Sequence, residues 1–145
     1  MKVWLNGKLV DKEQATVSVF DHGLLYGDGV FEGIRVYSGT IFQCAAHVDR
    51  LYASAEAVHM TIAMTKGQMT EAMYETLRAN DIVDGYIRLV ITRGPGTLGL
   101  NPYHCSDGTT FIIADQMRQI GVEPTAILLE PVARNTAAAT AAAAL

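Results

Sequence analysis

The chain opens with two short apolar stretches, Lys2-Val3-Trp4-Leu5 and Lys8-Leu9-Val10, on either side of Asn6-Gly7. That dipeptide tolerates the positive φ values of a two-residue turn, so the pattern predicts a β-hairpin. After Ala15-Thr16-Val17-Ser18-Val19-Phe20 and a glycine-bearing run, Val30 to Tyr37 alternates apolar and polar positions as a half-buried strand does. Ser38-Gly39 followed by Thr40-Ile41-Phe42 predicts a second hairpin. From Ala45 to about Met60 the period lengthens, because Val48, Leu51, Tyr52, Ala55 and Val58 recur at helical spacing. Lys66 to Asn80 repeats this with Met69, Ala72, Met73, Thr76 and Leu77, and Asn80 stands where a helix stops. Tyr86 to Arg93 is a β-rich run closed by Gly94-Pro95-Gly96, and Thr109 to Ala114 is a further strand. Strand pairs joined by tight turns, then two helices, then more strands, predict an α+β fold with a largely antiparallel sheet and two helices.

The C-terminal stretch changes character. A short helical run near Gln116-Met117-Arg118-Gln119 leads to the strand-like Thr125-Ala126-Ile127-Leu128-Leu129. From Ala137 to Leu145 every residue except Thr140 and Leu145 is alanine, which has high helix propensity and little side chain to pack. Arg134-Asn135-Thr136 supplies side-chain oxygens that would cap such a helix. A strand feeding a helix differs from the hairpin grammar upstream. This places a soft boundary between Gly108 and Gln116, with a first unit over residues 1–114 and a C-terminal strand–helix unit over 115–145 packed on it.

Composition narrows the function classes. A length of 145 residues fits one domain able to bury a core without staples, and 50% hydrophobic with 18% charged residues is a folding composition. The net charge of −4 is modest and the lysines and arginines are scattered, which argues against nucleic acid and anionic membrane as partners. The N-terminus meets a turn too early for a secretory leader, and no apolar run approaches the ~20 residues that span a bilayer, so a cytoplasmic protein is expected. Cys44 and Cys105 lie far apart without CxxC spacing and read as idle thiols. His22, His47, His59 and His104 form no HxxxH or HExxH pattern, so no metal is expected.

Three constellations carry candidate chemistry. Asp21-His22-Gly23-Leu24-Leu25-Tyr26-Gly27-Asp28-Gly29-Val30-Phe31-Glu32-Gly33-Ile34-Arg35 is glycine-rich but lacks the GxGxxG fingerprint; on spacing alone it reads as a tight structural bend. Arg50, on the first predicted helix, could offer a planar fork to a phosphate or carboxylate, but on its residues alone a surface salt bridge is the preferred reading. Tyr86 and Arg88, two apart on a strand, emerge on one face. They would suit a carboxylate, or equally a solvent-facing polar surface.

Taken together, residues 2–114 resemble class IV, or fold-type IV, pyridoxal-phosphate aminotransferases, and among them the branched-chain enzymes. The stretches that carry the likeness are Val17 to Arg35, His47-Val48-Asp49-Arg50-Leu51-Tyr52-Ala53-Ser54-Ala55, Tyr86-Ile87-Arg88, Thr92-Arg93-Gly94 and Gly99-Leu100-Asn101-Pro102. The resemblance implies that Arg50 binds the cofactor phosphate, that Tyr26 and Phe31 line the pocket for a branched side chain, and that Tyr86 and Arg88 help bind the substrate carboxylate, partly in a neighbouring subunit's site.

Transamination on this cofactor also needs a lysine amine for the Schiff base and for proton transfer. In the family that lysine comes from a larger C-terminal domain, and none of Lys2, Lys8, Lys12 and Lys66 lies in matching context. The segment from Phe111 to Gln119 with Ile127 to Ala137 is similar instead to mannose-1-phosphate guanylyltransferases. These readings lead to the expectation of a chimeric chain, recombined or designed, with no catalytic residue of its own and no resident cofactor, dimerising through its exposed apolar surface. The alternatives are a weak pyridoxal-phosphate or phosphate binder acting through Arg50, or a fragment that works only with a complementary large domain.

Overall fold

A computed structural model describes residues 1–116. The elements run β1 (Lys2–Leu5), β2 (Lys8–Asp11), a 3₁₀ turn (Lys12–Gln14), α1 (His22–Tyr26), β3 (Gly29–Tyr37), β4 (Thr40–Ile41), α2 (Cys44–Ala57), α3 (Lys66–Ala79), β5 (Gly85–Thr92), a second 3₁₀ turn (Pro102–His104) and β6 (Thr110–Gln116). Both expected hairpins form. Asn6 and Gly7 take φ of 47° and 90°, and Ser38 and Gly39 take 48° and 74°, the left-handed pairs whose twist matches that of antiparallel strands.

The six strands make one sheet in the order β2-β1-β6-β5-β3-β4, and every pairing between them is antiparallel. The α+β expectation therefore holds, with α1 as a short addition where the sequence reads a bend. β6 sits in the middle, with Trp4 opposite Ile112 on one side and Leu89 opposite Ile112 on the other. It continues through Gln116, where a helical run was expected, so a partition at residue 114 falls inside a central strand. The strand expected at 125–129, the alanine-rich helix at 137–145 and the packing of a 115–145 unit lie outside the described residues.

Alternation along the strands decides which face is covered. Trp4, Ile34, Val36, Ile87, Leu89, Ile112 and Ala114 point to one side and bury against Val48, Leu51 and Ala55 of α2 and Met69, Ala72, Met73 and Leu77 of α3. The opposite face carries Phe31, Tyr86, Arg88, Phe111 and Ile113, and among the described residues no helix covers it; there Val3, Leu5, Val17, Phe111 and Ile113 line an apolar cleft. Among the described residues no helix is long and apolar enough to cross a membrane.

α3 shows how local chemistry sets an element's ends. Thr65 and Gln68 form a capping box at its start, each satisfying a free N–H of the first turn. At its end Asn80 does more than stop the helix. Its amide nitrogen donates to the carbonyls of Thr76 and Lys2 (2.8 Å each), and its oxygen accepts from the Lys2 amide at 2.6 Å, stapling α3 to β1. Asn80→Ala removes all three bonds and leaves half-buried backbone groups without partners. It should destabilise the fold by about 2 kcal/mol, read as a lower urea midpoint at unchanged slope.

Candidate functional site

The stretch between β2 and β3 is organised by a buried carboxylate. Asp21, 1% exposed, accepts from the Gly23 amide at 2.8 Å, which caps α1, and from the hydroxyls of Thr92 (2.9 Å) and Thr109 (2.7 Å). His22 is equally buried; its amide donates to the Gly94 carbonyl and its Nε2 lies 2.8 Å from the Thr97 carbonyl, so Nε2 carries the proton. The Tyr26 hydroxyl donates to the Leu98 carbonyl at 2.5 Å, and its ring meets His22 edge-on. Tyr26 is thus held by the loop after β5. α1 ends at Gly27 in the left-handed conformation.

Arg93 secures the return to β3. It forms a bidentate pair with Asp28 (2.9 and 3.0 Å) and also donates to the carbonyls of Val58 and His59 (2.8 and 2.7 Å), just past the end of α2. One side chain therefore ties the glycine bend to the helix that bears Arg50.

Arg50 does form an ion pair, but its partner is not a surface group. Its Nε and Nη2 reach the two oxygens of Glu32 at 2.7 and 2.5 Å, and Glu32 is only 5% exposed. His47, one turn earlier on α2, places Nδ1 2.8 Å from the same carboxylate. Burial by itself pushes the Glu32 carboxyl up; the hydrogen bonds from Arg50 and His47, with their charge attraction, outweigh it and hold the group below the ordinary carboxylate value. Glu32 in turn pushes the Arg50 pKa upward. The Arg50 side chain as a whole remains 64% exposed.

The other three residues named from the sequence gather on the open face. Arg88 lies over the Phe31 ring at 4.6 Å and the Tyr86 ring at 5.6 Å, so two aromatic faces fix one guanidinium. Phe31 itself is 62% exposed. Room for this stack comes from Gly33, opposite Arg88 on β3: a Cβ there would fall 2.0 Å from the Tyr86 hydroxyl oxygen.

Phe31 and Glu32 are adjacent, so Arg50 and the Arg88 cluster stand on opposite faces of β3. They still share an approach. Among the described residues β4 pairs only with Val36 and Tyr37, which leaves residues 29–34 at the outer edge of the sheet. A ligand lying along that edge could meet Arg50 from one side and Arg88 from the other.

Comparison with known proteins gives the family. The amino-transferase class IV family model matches residues 29–143. A Methanocaldococcus jannaschii protein provisionally named a branched-chain-amino-acid aminotransferase is 57% identical over 117 residues, covering 81% of this chain and 41% of that protein. A D-alanine aminotransferase of Listeria monocytogenes is 42% identical over 94 residues, 65% of this chain and 32% of its own length. Among solved structures, a branched-chain amino acid aminotransferase from T.th. with pyridoxamine 5'-phosphate superposes with a TM-score of 0.78 at 35% identity, over 84% of this chain and 41% of that one. The Escherichia coli enzyme gives 0.76 at 32%, over 80% and 41%. The chain thus spans about two fifths of the branched-chain relatives it matches. The family match runs through the stretch expected to resemble guanylyltransferases, and the comparisons give no support to a second family there.

Two results should follow from this geometry. Because the folded-state pKa of Glu32 is lowered, its contribution to stability is present above its unfolded value near 4.5 and is lost as pH falls through the folded value. The urea midpoint of the wild type should therefore exceed that of Glu32→Gln at neutral pH, and the gap should shrink on acidification to about pH 3. Gly33→Ala should leave the core melting cooperatively while shifting the Tyr86 ring resonances, since the phenol is what the new methyl displaces.

Proposed function

The chain belongs to the class IV aminotransferase family, and from that membership we propose that it is the small-domain part of a pyridoxal-phosphate-dependent branched-chain aminotransferase. The observation that carries this reading is the pair of anchored guanidinium groups, Arg50 and Arg88, flanking one open strand edge. Two fixed cations suit a ligand with two separated anionic groups, a cofactor phosphate and a substrate carboxylate.

The residues fit the cofactor. Arg50 has five N–H donors, and Glu32 takes one from Nε and one from Nη2. The Arg50 side chain is otherwise mostly exposed, so a phosphate oxygen can accept from the N–H groups that remain. Arg88 and the Tyr86 hydroxyl orient the substrate carboxylate, while Phe31 offers an apolar surface to an aliphatic side chain and excludes water from it. Tyr26, carried on α1, borders the same pocket, in its own subunit or in a neighbouring one. Pyridoxal phosphate, when bound, supplies the electron sink that stabilises charge at the substrate α-carbon. The amine that moves protons there is a lysine in this chemistry; Lys2 and Lys66 of this chain are held in exposed ion pairs with Asp11 and Asp49. On this reading the catalytic lysine belongs to the portion of the family protein that the chain does not match, and the working unit joins the two in an oligomer. A recombined chain with inherited but idle motifs is less well supported, because the family match extends to residue 143.

The test is complementation. The chain is mixed with the complementary C-terminal part of the Methanocaldococcus jannaschii relative and pyridoxal phosphate, and amino transfer from leucine to 2-oxoglutarate is measured. Activity should depend on both parts. Arg50→Ala should weaken cofactor binding roughly 10- to 100-fold, the worth of a charge-assisted hydrogen bond. Arg88→Ala should raise KM for leucine instead. A mixture that neither binds the cofactor nor transfers an amino group would sink the proposal.

A further inference from the structure

Glu32 breaks the pattern of the strand that carries it. The other inward positions of β3, namely Val30, Ile34 and Val36, are buried and apolar, and a carboxylate among them carries a desolvation penalty unless it is fully partnered. It is fully partnered, by Arg50 through Nε and Nη2 and by His47 through Nδ1. A carboxylate only accepts, so Nδ1 of His47 must hold the proton that points at Glu32. That fixes the meaning of the 3.1 Å approach between Arg50 Nη2 and His47 Nδ1: with Nδ1 already donating, it is a contact between two donors and no hydrogen bond. Arg50 is therefore held by Glu32, and its remaining N–H groups stay available.

The arrangement restricts a side chain that would otherwise be loose. Arg50 is mostly exposed and sits on the outer flank of α2, where an unpaired arginine would sample many rotamers. Two parallel hydrogen bonds to a buried, immobile carboxylate fix both the plane and the direction of the guanidinium. The rigidity comes from β3, whose main chain is locked by its ladder to β5 from Gly29 to Val36.

We infer that Glu32 is a positioning residue that presents Arg50 to an anion in a preset plane, with His47 holding the second carboxylate oxygen. The inference rests on the reading of Arg50 as a phosphate ligand and adds to it the group that orders the ligand before binding. Ordering a long side chain in advance moves its entropy loss from the binding step to folding, and affinity rises by the amount saved. Glu32 touches neither cofactor nor substrate in this scheme.

The experiment uses the whole chain and inorganic phosphate, which, lacking an aldehyde, cannot react with surface lysines. Phosphate affinity and hydrogen exchange of the Arg50 Nε–H are both followed by NMR, the resonance being assigned by its loss in Arg50→Lys. In phosphate-free wild type the Nε–H should be protected, because it is already bonded to Glu32. Glu32→Asp keeps the charge but shortens the reach by one methylene, so that protection should vanish and phosphate should bind roughly three- to tenfold more weakly. Unchanged affinity in a folded Glu32→Asp protein overturns the inference. So does a wild-type Nε–H that exchanges as fast as that of a free arginine, and this measurement decides the matter if the variant does not fold. Phosphate binding that survives Arg50→Ala is a different result: it removes the phosphate reading of Arg50 itself, whatever Glu32 does.

Discussion

The structure around the candidate site depends on buried carboxylates that must be satisfied. Asp21 is the clearest case, since its two oxygens take up an α1 amide and two threonine hydroxyls from the end of β5 and the approach to β6. A carboxylate with almost no solvent contact is tolerated only with such a set of donors. The requirement works in both directions, because the donors are brought together by the carboxylate that needs them. Three segments distant in sequence thereby acquire one meeting point, and the position of α1, with Tyr26 on it, follows.

Glu32, also buried, and the half-buried Asp28 extend this at the next step along the chain. Each faces an arginine in bidentate geometry, Glu32 with Arg50 and Asp28 with Arg93. The first arginine lies within α2, and the second also binds carbonyls just beyond the C-terminus of α2, where free acceptors and the negative end of the helix dipole favour a cation. Packing by Val48, Leu51 and Ala55 presses α2 onto the sheet but does not by itself choose its angle or height. The two ion pairs supply directional contacts that do. α2 is thus fixed against β3 at two separate points, and Arg50 inherits a defined location from that.

Much of the fold was legible because it follows from period and turn chemistry. Asn6-Gly7 and Ser38-Gly39 announced the hairpins, and the helical recurrence of Met69, Ala72, Met73, Thr76 and Leu77 matches the buried stripe of α3. The short helix α1 was not legible: five residues give no period, and its existence depends on the Asp21 cap and a left-handed Gly27. At the site, Tyr86 and Arg88 could be placed on one face from spacing alone, and Phe31 joins them only through pairing between β3 and β5. Sequence reasoning missed Glu32, Asp21, Asp28 and Arg93. For Glu32 a signal existed, because it stands in phase with Val30, Ile34 and Val36, where an alternating strand turns its side chains inward. For Asp21 and Arg93 there was none, since their partners lie tens of residues away and no local rule pairs them.

The surface-salt-bridge reading of Arg50 and the phosphate-ligand reading are less opposed than they look from the sequence. An exposed pair would compete with an anion for the same donors, because both partners would be free to turn and either could be released. A pair with a buried acid differs, since Glu32 cannot leave the strand and its oxygens point outward at one edge of the guanidinium only. The ion pair then consumes the inward donors and leaves the outward ones. Arg88 reaches a similar condition by other means, with its guanidinium carbon over the Phe31 and Tyr86 rings. One guanidinium is held by a carboxylate and the other by aromatic rings. In both cases N–H groups are left over, and the proposed doubly anionic ligand is one whose carboxylate and phosphate would accept from them.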